Sequence, residues 1–259
     1  MRLYRKYASI QLKSAFEYRT AYIFETIAST FQTLVTLAAI LVVFMKYETV
    51  GGYTLNQVLI TYSMVVFTFS FATMVFRGFD DFDKLIISGE LDRLLIRPRS
   101  IFMQVLGYKM ELNRMGRVLI TFAVLVYSLV TAGITWTAMK IVTLILMMVC
   151  SILLFLSLFL IYSGICVFTV EGLEVLNIFI NGGKDLAEYP INVYAKFFRV
   201  FFTYIIPFGC VNYLPLQYLL GFSNANLLYA LSPLFVVIFF LLSYGFFRWA
   251  LTKYKSTGS

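Results

Sequence analysis

Long charge-free apolar runs alternate with polar connections along this chain, and one connection is far more charged than the others. Thr49 to Phe76 and Val118 to Met139 contain no charged side chain, whereas Arg77 to Arg117 between them holds fourteen. A helix rising about 1.5 Å per residue needs about 20 residues to cross bilayer hydrocarbon, so each flanking run is long enough to span. The pattern predicts spans over roughly Ala21 to Met45, Leu55 to Phe76, Val118 to Met139 and Ile141 to Val170. Val200 to Phe247 is also charge-free, too long for one crossing, and interrupted by Ser223-Asn224-Ala225-Asn226.

Composition turns the pattern into a class. Hydrophobic residues make up 61% of the 259, charged residues only 13%, and mean hydropathy is +0.85. These values exclude an ordinary soluble domain. The expected fold is an all-α integral membrane protein forming a single transmembrane domain over residues 1–259, since unpaired backbone in lipid costs several kcal/mol per group.

Basic residues give the orientation. Arg2, Arg5, Lys6, Lys13 and Arg19 precede the first span, eight more fill the 77–117 loop, and Arg248, Lys253 and Lys255 follow the last span. Lys46 and Lys140 alone occupy the short connections on the other side, so both termini are expected to be cytoplasmic, with an even number of crossings. The net charge of +8 borders lipid rather than striping a soluble fold, which points to anionic headgroups and away from nucleic acid.

Residues 1–20 form an expected interfacial helix rather than a cleavable signal. Leu3, Tyr4, Tyr7, Ile10 and Tyr18 fall on one side, with Arg2, Arg5, Lys6, Lys13 and Glu17 on the other. An ordinary basic tail that only sets topology is the alternative. Chemistry is sparse elsewhere. The chain has no histidine, which removes the usual catalytic base and commonest metal ligand, and Cys150, Cys166 and Cys210 have no metal spacing. Gly182-Gly183-Lys184-Asp185 lacks the upstream glycine and the hydroxyl residue of a phosphate loop. No catalytic, cofactor or metal site is expected.

The charged loop contains SGELDRLLIRPRS, residues 88–100. Ser88 is placed to cap a short helix, Glu90 and Asp92 lie near its positive end, Arg93 and Arg97 near its negative end, and Pro98 stops it. Leu91, Leu94 and Leu95 form an i, i+3, i+4 edge bordered by both signs of charge. Such an edge suits a groove on a soluble partner; a solvated helix lying on the membrane is the other reading.

With that element the chain resembles a membrane subunit of ABC-2-type transporters, in a bacterial branch with a GELDRLLIRP loop element. The likeness continues through RGFDDFDKLI (77–86), VEGLE (170–174), NGGKDLAEYP (181–190), IIPFGCVNYLP (205–215) and RWALTKYKSTGS (248–259). It implies six transmembrane helices in an ABC-2-type exporter arrangement in the inner membrane, with the N-terminal helix at the interface. It also implies a coupling helix near 88–97 that docks, through Glu90, Leu91, Asp92, Arg93, Leu94, Leu95 and Arg97, on a separate ATP-binding cassette subunit. A second permease chain, identical or related, completes the path. ATP energy would enter as rigid-body motion, with no ATPase activity in this chain.

Two maps compete for the third quarter. Hydropathy alone leaves Glu171 to Arg199 in the cytoplasm and makes Val200 to Leu220 the fifth span despite Pro207 and Pro215. The resemblance instead places the fifth span at Ile165 to Gly183 and makes 184–221 a re-entrant or interfacial segment, which suits the prolines because broken backbone is tolerated where protein or water covers it. Glu25, Glu171 and Glu174 are the intramembrane polar candidates. Glu171 and Glu174 share a helix face, as a cation path or as a pair at a helix end. An ion-coupled secondary transporter or channel is the alternative function.

Overall fold

The computed structural model describes residues 19–170, 172, 174–223 and 225–256. The interfacial helix expected over residues 1–20 lies outside the described residues except for its last two, which begin the first long helix; Glu171 also lies outside them. Among the described residues the chain is helical, with no strand beyond an isolated bridge between Val50 and Tyr53.

Five long apolar helices are α1 (Arg19–Lys46), α2 (Leu55–Asp80), α6 (Leu112–Thr131), α7 (Ala138–Thr169) and α11 (Leu227–Thr252). They stand in the order α1, α6, α2, α7, α11. Central α2 is 83% buried over its most apolar stretch and α1 only 11%, so α1 keeps a face for lipid or for another chain. Phe24, Phe31 and Val42 project from that face, each more than 60% exposed. Polar residues inside α2 bond their own backbone: the hydroxyls of Thr68 and Thr73 donate to the carbonyls of Met64 (2.8 Å) and Phe69 (3.0 Å). That removes the cost of an unmatched donor in a dry environment.

The charged 77–117 stretch is folded against the bundle. Short helices α3 (Phe82–Ile87), α4 (Glu90–Leu95) and α5 (Ile101–Tyr108) bury Phe82, Leu85, Ile86, Leu91, Leu94 and Val105 in the same core as α7 and α11. Phe247 of α11 meets the rings of Phe79 and Phe82, each at 5.7 Å, and the Ser163 hydroxyl of α7 donates to the Phe79 carbonyl at 2.7 Å. Gly78 is required here, because a Cβ would lie 2.1 Å from the Val105 carbonyl oxygen.

Residues 174–187 form α8, whose middle, Ile178–Gly182, is π-helical. It starts beside the charged layer and climbs past Phe69, midway along α2, where the Lys184 ammonium lies 5.6 Å from the ring. By residue 192 the chain has reached the opposite end: the Asn192 side-chain amide donates to the Gly51 carbonyl at 2.9 Å. Helices α9 (Lys196–Ile205) and α10 (Gly209–Leu220) then meet at 85°. Phe222, just past α10, packs on Tyr53 at 5.6 Å, while Phe208 at the bend reaches Phe155 at 5.6 Å. Both ends of this hairpin thus lie at the 47–54 end, with its tip turned into the bundle.

In neither map of the third quarter is the fifth helix continuous over the expected bounds. Val200 to Leu220 is not one continuous helix, because Ile206 is extended and Pro207 follows it at the bend. Ile165 to Gly183 is not one helix either, because residues 165–169 complete α7 and Val170, at φ 64°, ends it.

Candidate functional site

A polar cavity of about 610 Å³ opens between the charged layer and the middle of the bundle. Its mouth is formed by Asp81, Asp83 and Lys84, and its deeper walls by Arg117 of α6, Lys184 of α8 and Phe69 of α2. The helices put charge at this depth for identifiable reasons. Arg117 lies in the first turns of α6, where Gly116 lets α1 approach; a Cβ there would be 2.5 Å from the Thr30 hydroxyl. The Arg117 guanidinium donates to Gln32 Oε1 at 2.7 Å and to the Ser29 carbonyl at 3.3 Å, both on α1. Lys184 pairs with Asp185 at 2.6 Å and with buried Glu188, one turn on, at 3.0 Å.

The mouth is held by an ion-pair network. Arg77 pairs with Asp80, with Asp81 at 3.3 Å and with Glu111 at 2.9 Å. Lys84 and Lys109 both reach Asp81, at 2.9 and 2.6 Å, and Arg114 reaches Glu111 at 2.5 Å. Asp81, with a side chain only 6% exposed, therefore holds three cations from α2, α3 and the segment before α6. The Glu111 amide adds a bond to the Met74 carbonyl at 3.1 Å. Charges that read in sequence as solvated loop thus fix the loop to the helix ends.

On the outer side of this layer, the residues expected to dock a partner divide into two groups. Leu91 and Leu94 are buried within this chain, at 0% and 7% exposure, so they are not part of the free surface. Exposed Arg93, Leu95, Ile96 and Arg97 are. The acidic pair serves the fold: Asp92 accepts from the Ser256 hydroxyl at 2.7 Å, and Glu90 faces Tyr108, whose pKa burial and this carboxylate push up to about 12. Ser88 does not cap α4. It ends α3, its hydroxyl donating to the Leu85 carbonyl at 3.4 Å, and left-handed Gly89 (φ 68°) precedes α4.

Of the intramembrane candidates, Glu174 is exposed and lines the cavity. Glu25 accepts from the Asn113 side chain at 2.5 Å, at the charged end and away from the cavity. Arg117, Lys184 and Glu188 were absent from the sequence-based candidates. For Lys184 and Glu188 the signal lay in NGGKDLAEYP, which on a helix puts a lysine and a glutamate one turn apart; Arg117 had no local signal.

Apolar helices of spanning length, a buried polar cavity and a folded charged layer describe a membrane transport unit. The profile of the family described as ABC-2 family transporter protein matches residues 30–258. The chain belongs to that family. No curated protein and no solved structure matches it. Membership makes it a multi-pass permease of an ABC transporter, a membrane subunit that works with an ATP-binding partner. The described helices agree with it: five are long and apolar enough to cross, or six if the bent α9–α10 pair is one span.

Proposed function

We propose that this ABC-2 permease exports its cargo by accepting motion from a separate ATP-binding subunit docked on α4. Both termini and the charged layer face the cytoplasm of a bacterial inner membrane. The fifth crossing is α8, and α9–α10 is re-entrant from the outer side. A second permease chain, identical or related, packs against the exposed face of α1 to complete the path.

One observation carries this reading. The α3–α5 layer is joined to α2, α7 and α11 by buried side chains, by the Gly78 contact and by the Asp81 network, so a push on its surface passes to the spans as rigid-body motion. Its exposed face combines Leu95 and Ile96 with Arg93, Arg97 and Arg99. Apolar contact area framed by one sign of charge suits an acidic-rimmed groove.

Cross-linking tests it. A single cysteine at Ile96, 84% exposed, should cross-link to the ATP-binding subunit in membranes, and one at Leu228, 74% exposed at the other end of the bundle, should not. Cross-linking at Leu228 alone would overturn the assignment.

A further inference from the structure

We infer that the cavity takes a cargo bearing an anionic group, carboxylate or phosphate, and that Arg117 is its anion contact. The inference rests on the permease reading above and concerns only what the cavity binds.

Five cations line the cavity: Arg77, Lys84, Arg114, Arg117 and Lys184. Four have a carboxylate within 4 Å; among the described residues Arg117 has none. Its Nε and Nη2 are used by Ser29 and Gln32, both neutral acceptors, and Nη1 has no partner among the described residues. The residue is only 8% exposed overall, and the nearest compensation is the field of Glu188, which is itself paired with Lys184, so the guanidinium has no direct ion pair and keeps one edge free. A charge in that position is costly and marks a functional contact, and the planar fork matches carboxylate or phosphate oxygens.

The rest of the wall agrees. Lining acids Asp80 and Asp81 are engaged by cations, Asp83 and Glu174 make no ion pair with Arg117, and Glu188, the carboxylate whose field reaches Arg117, is paired with Lys184. Asn177 and Asn181 of α8 supply hydrogen-bonding groups for a polar body. The volume of about 610 Å³ suits an organic anion of moderate size. The same chemistry occurs in a soluble organic anion and in a lipid headgroup.

The test uses the full chain in nanodiscs without ATP or partner, so its outcome is independent of coupling. Binding of carboxyfluorescein, an anion, is compared with that of rhodamine 123, a cation on a similar ring system, by fluorescence anisotropy. The anion should bind and the cation should not. Arg117→Gln should weaken anion binding at least about tenfold, the scale of a lost charge-assisted hydrogen bond, and Arg117→Lys should retain most of it. Because Arg117 also ties α6 to α1, Asn181→Asp is the second variant: it adds a negative charge to the wall without removing that tie, and should also weaken the anion. Displacement of the dye by dihexanoyl phosphatidic acid but not by inorganic phosphate assigns the site to a headgroup, and equal displacement by both to a soluble anion. No binding of carboxyfluorescein, equal binding of both dyes, or unchanged binding in Arg117→Gln and Asn181→Asp would overturn the proposal.

Discussion

The Asn192 side-chain amide donates to the Gly51 carbonyl at 2.9 Å across 141 positions of sequence, which places the far end of α8 beside the connection between the first two spans. Lys184 and Glu188, four residues apart and 3.0 Å from each other, are thereby held inside the bundle rather than in a surface loop.

That relationship predicts a labelling pattern. In a background lacking Cys150, Cys166 and Cys210, all buried free thiols, single cysteines at Glu48 and Lys196 should react with a membrane-impermeant maleimide in intact cells. A cysteine at Arg97 should react only after the cells are opened. Labelling of position 196 with position 97 rather than with position 48 would return the 190–200 segment to the inside.

The two faces of α4 should respond differently to charge. Ile96→Asp and the pair Arg93→Glu with Arg97→Glu alter exposed positions. They should leave expression and thermal stability unchanged while reducing recovery of the ATP-binding subunit in co-purification. Leu91→Asp puts a charge at a fully buried site, where an unpaired ion costs several kcal/mol, so the chain itself should be lost from the membrane.

Close approach at Gly78 gives a packing test. Gly78→Ala directs a methyl at the Val105 carbonyl oxygen, only 2.1 Å away, and overpacking of this kind costs about 1–3 kcal/mol. Gly245→Ala, within α11 and with no atom within 4 Å of the added carbon, should be neutral or stabilising by up to about 1 kcal/mol. Thermal unfolding in detergent should separate the two.

Asp81→Ala would leave Lys84, Lys109 and Arg77 without their shared carboxylate. With Lys84 and Lys109 partly exposed, the loss of these charge-assisted bonds costs about 1–3 kcal/mol. The expected readout is a lower melting temperature together with new protease cleavage between residues 77 and 117.

The spans α1, α2, α6, α7 and α11 were legible as long apolar runs with little or no charge, because hydrocarbon excludes unpaired charge. The course of α8 through the bundle was not. Lys184 and Glu188 neutralise each other one turn apart, so the segment reads as polar, whereas the α9–α10 hairpin is apolar because its tip packs on Phe155. The amphipathic edge of α4 was also visible, but i, i+3, i+4 spacing is the same whether leucines face a partner or the chain's own core. Only the position of α7 and α11 shows that Leu91 and Leu94 turn inward, leaving Ile96 and the arginines on the surface. That Arg117 has no direct ion pair among the described residues depends on helices far apart in sequence and had no local signal.

ATP hydrolysis by the purified chain, alone and together with an ATP-binding subunit, tests the central claim most directly. The isolated chain should show no nucleotide turnover, and addition of the subunit should give turnover that the Arg93→Glu, Arg97→Glu pair reduces or uncouples from transport in vesicles. Robust hydrolysis by the isolated chain, or transport that proceeds without any ATP-binding subunit, would contradict the account.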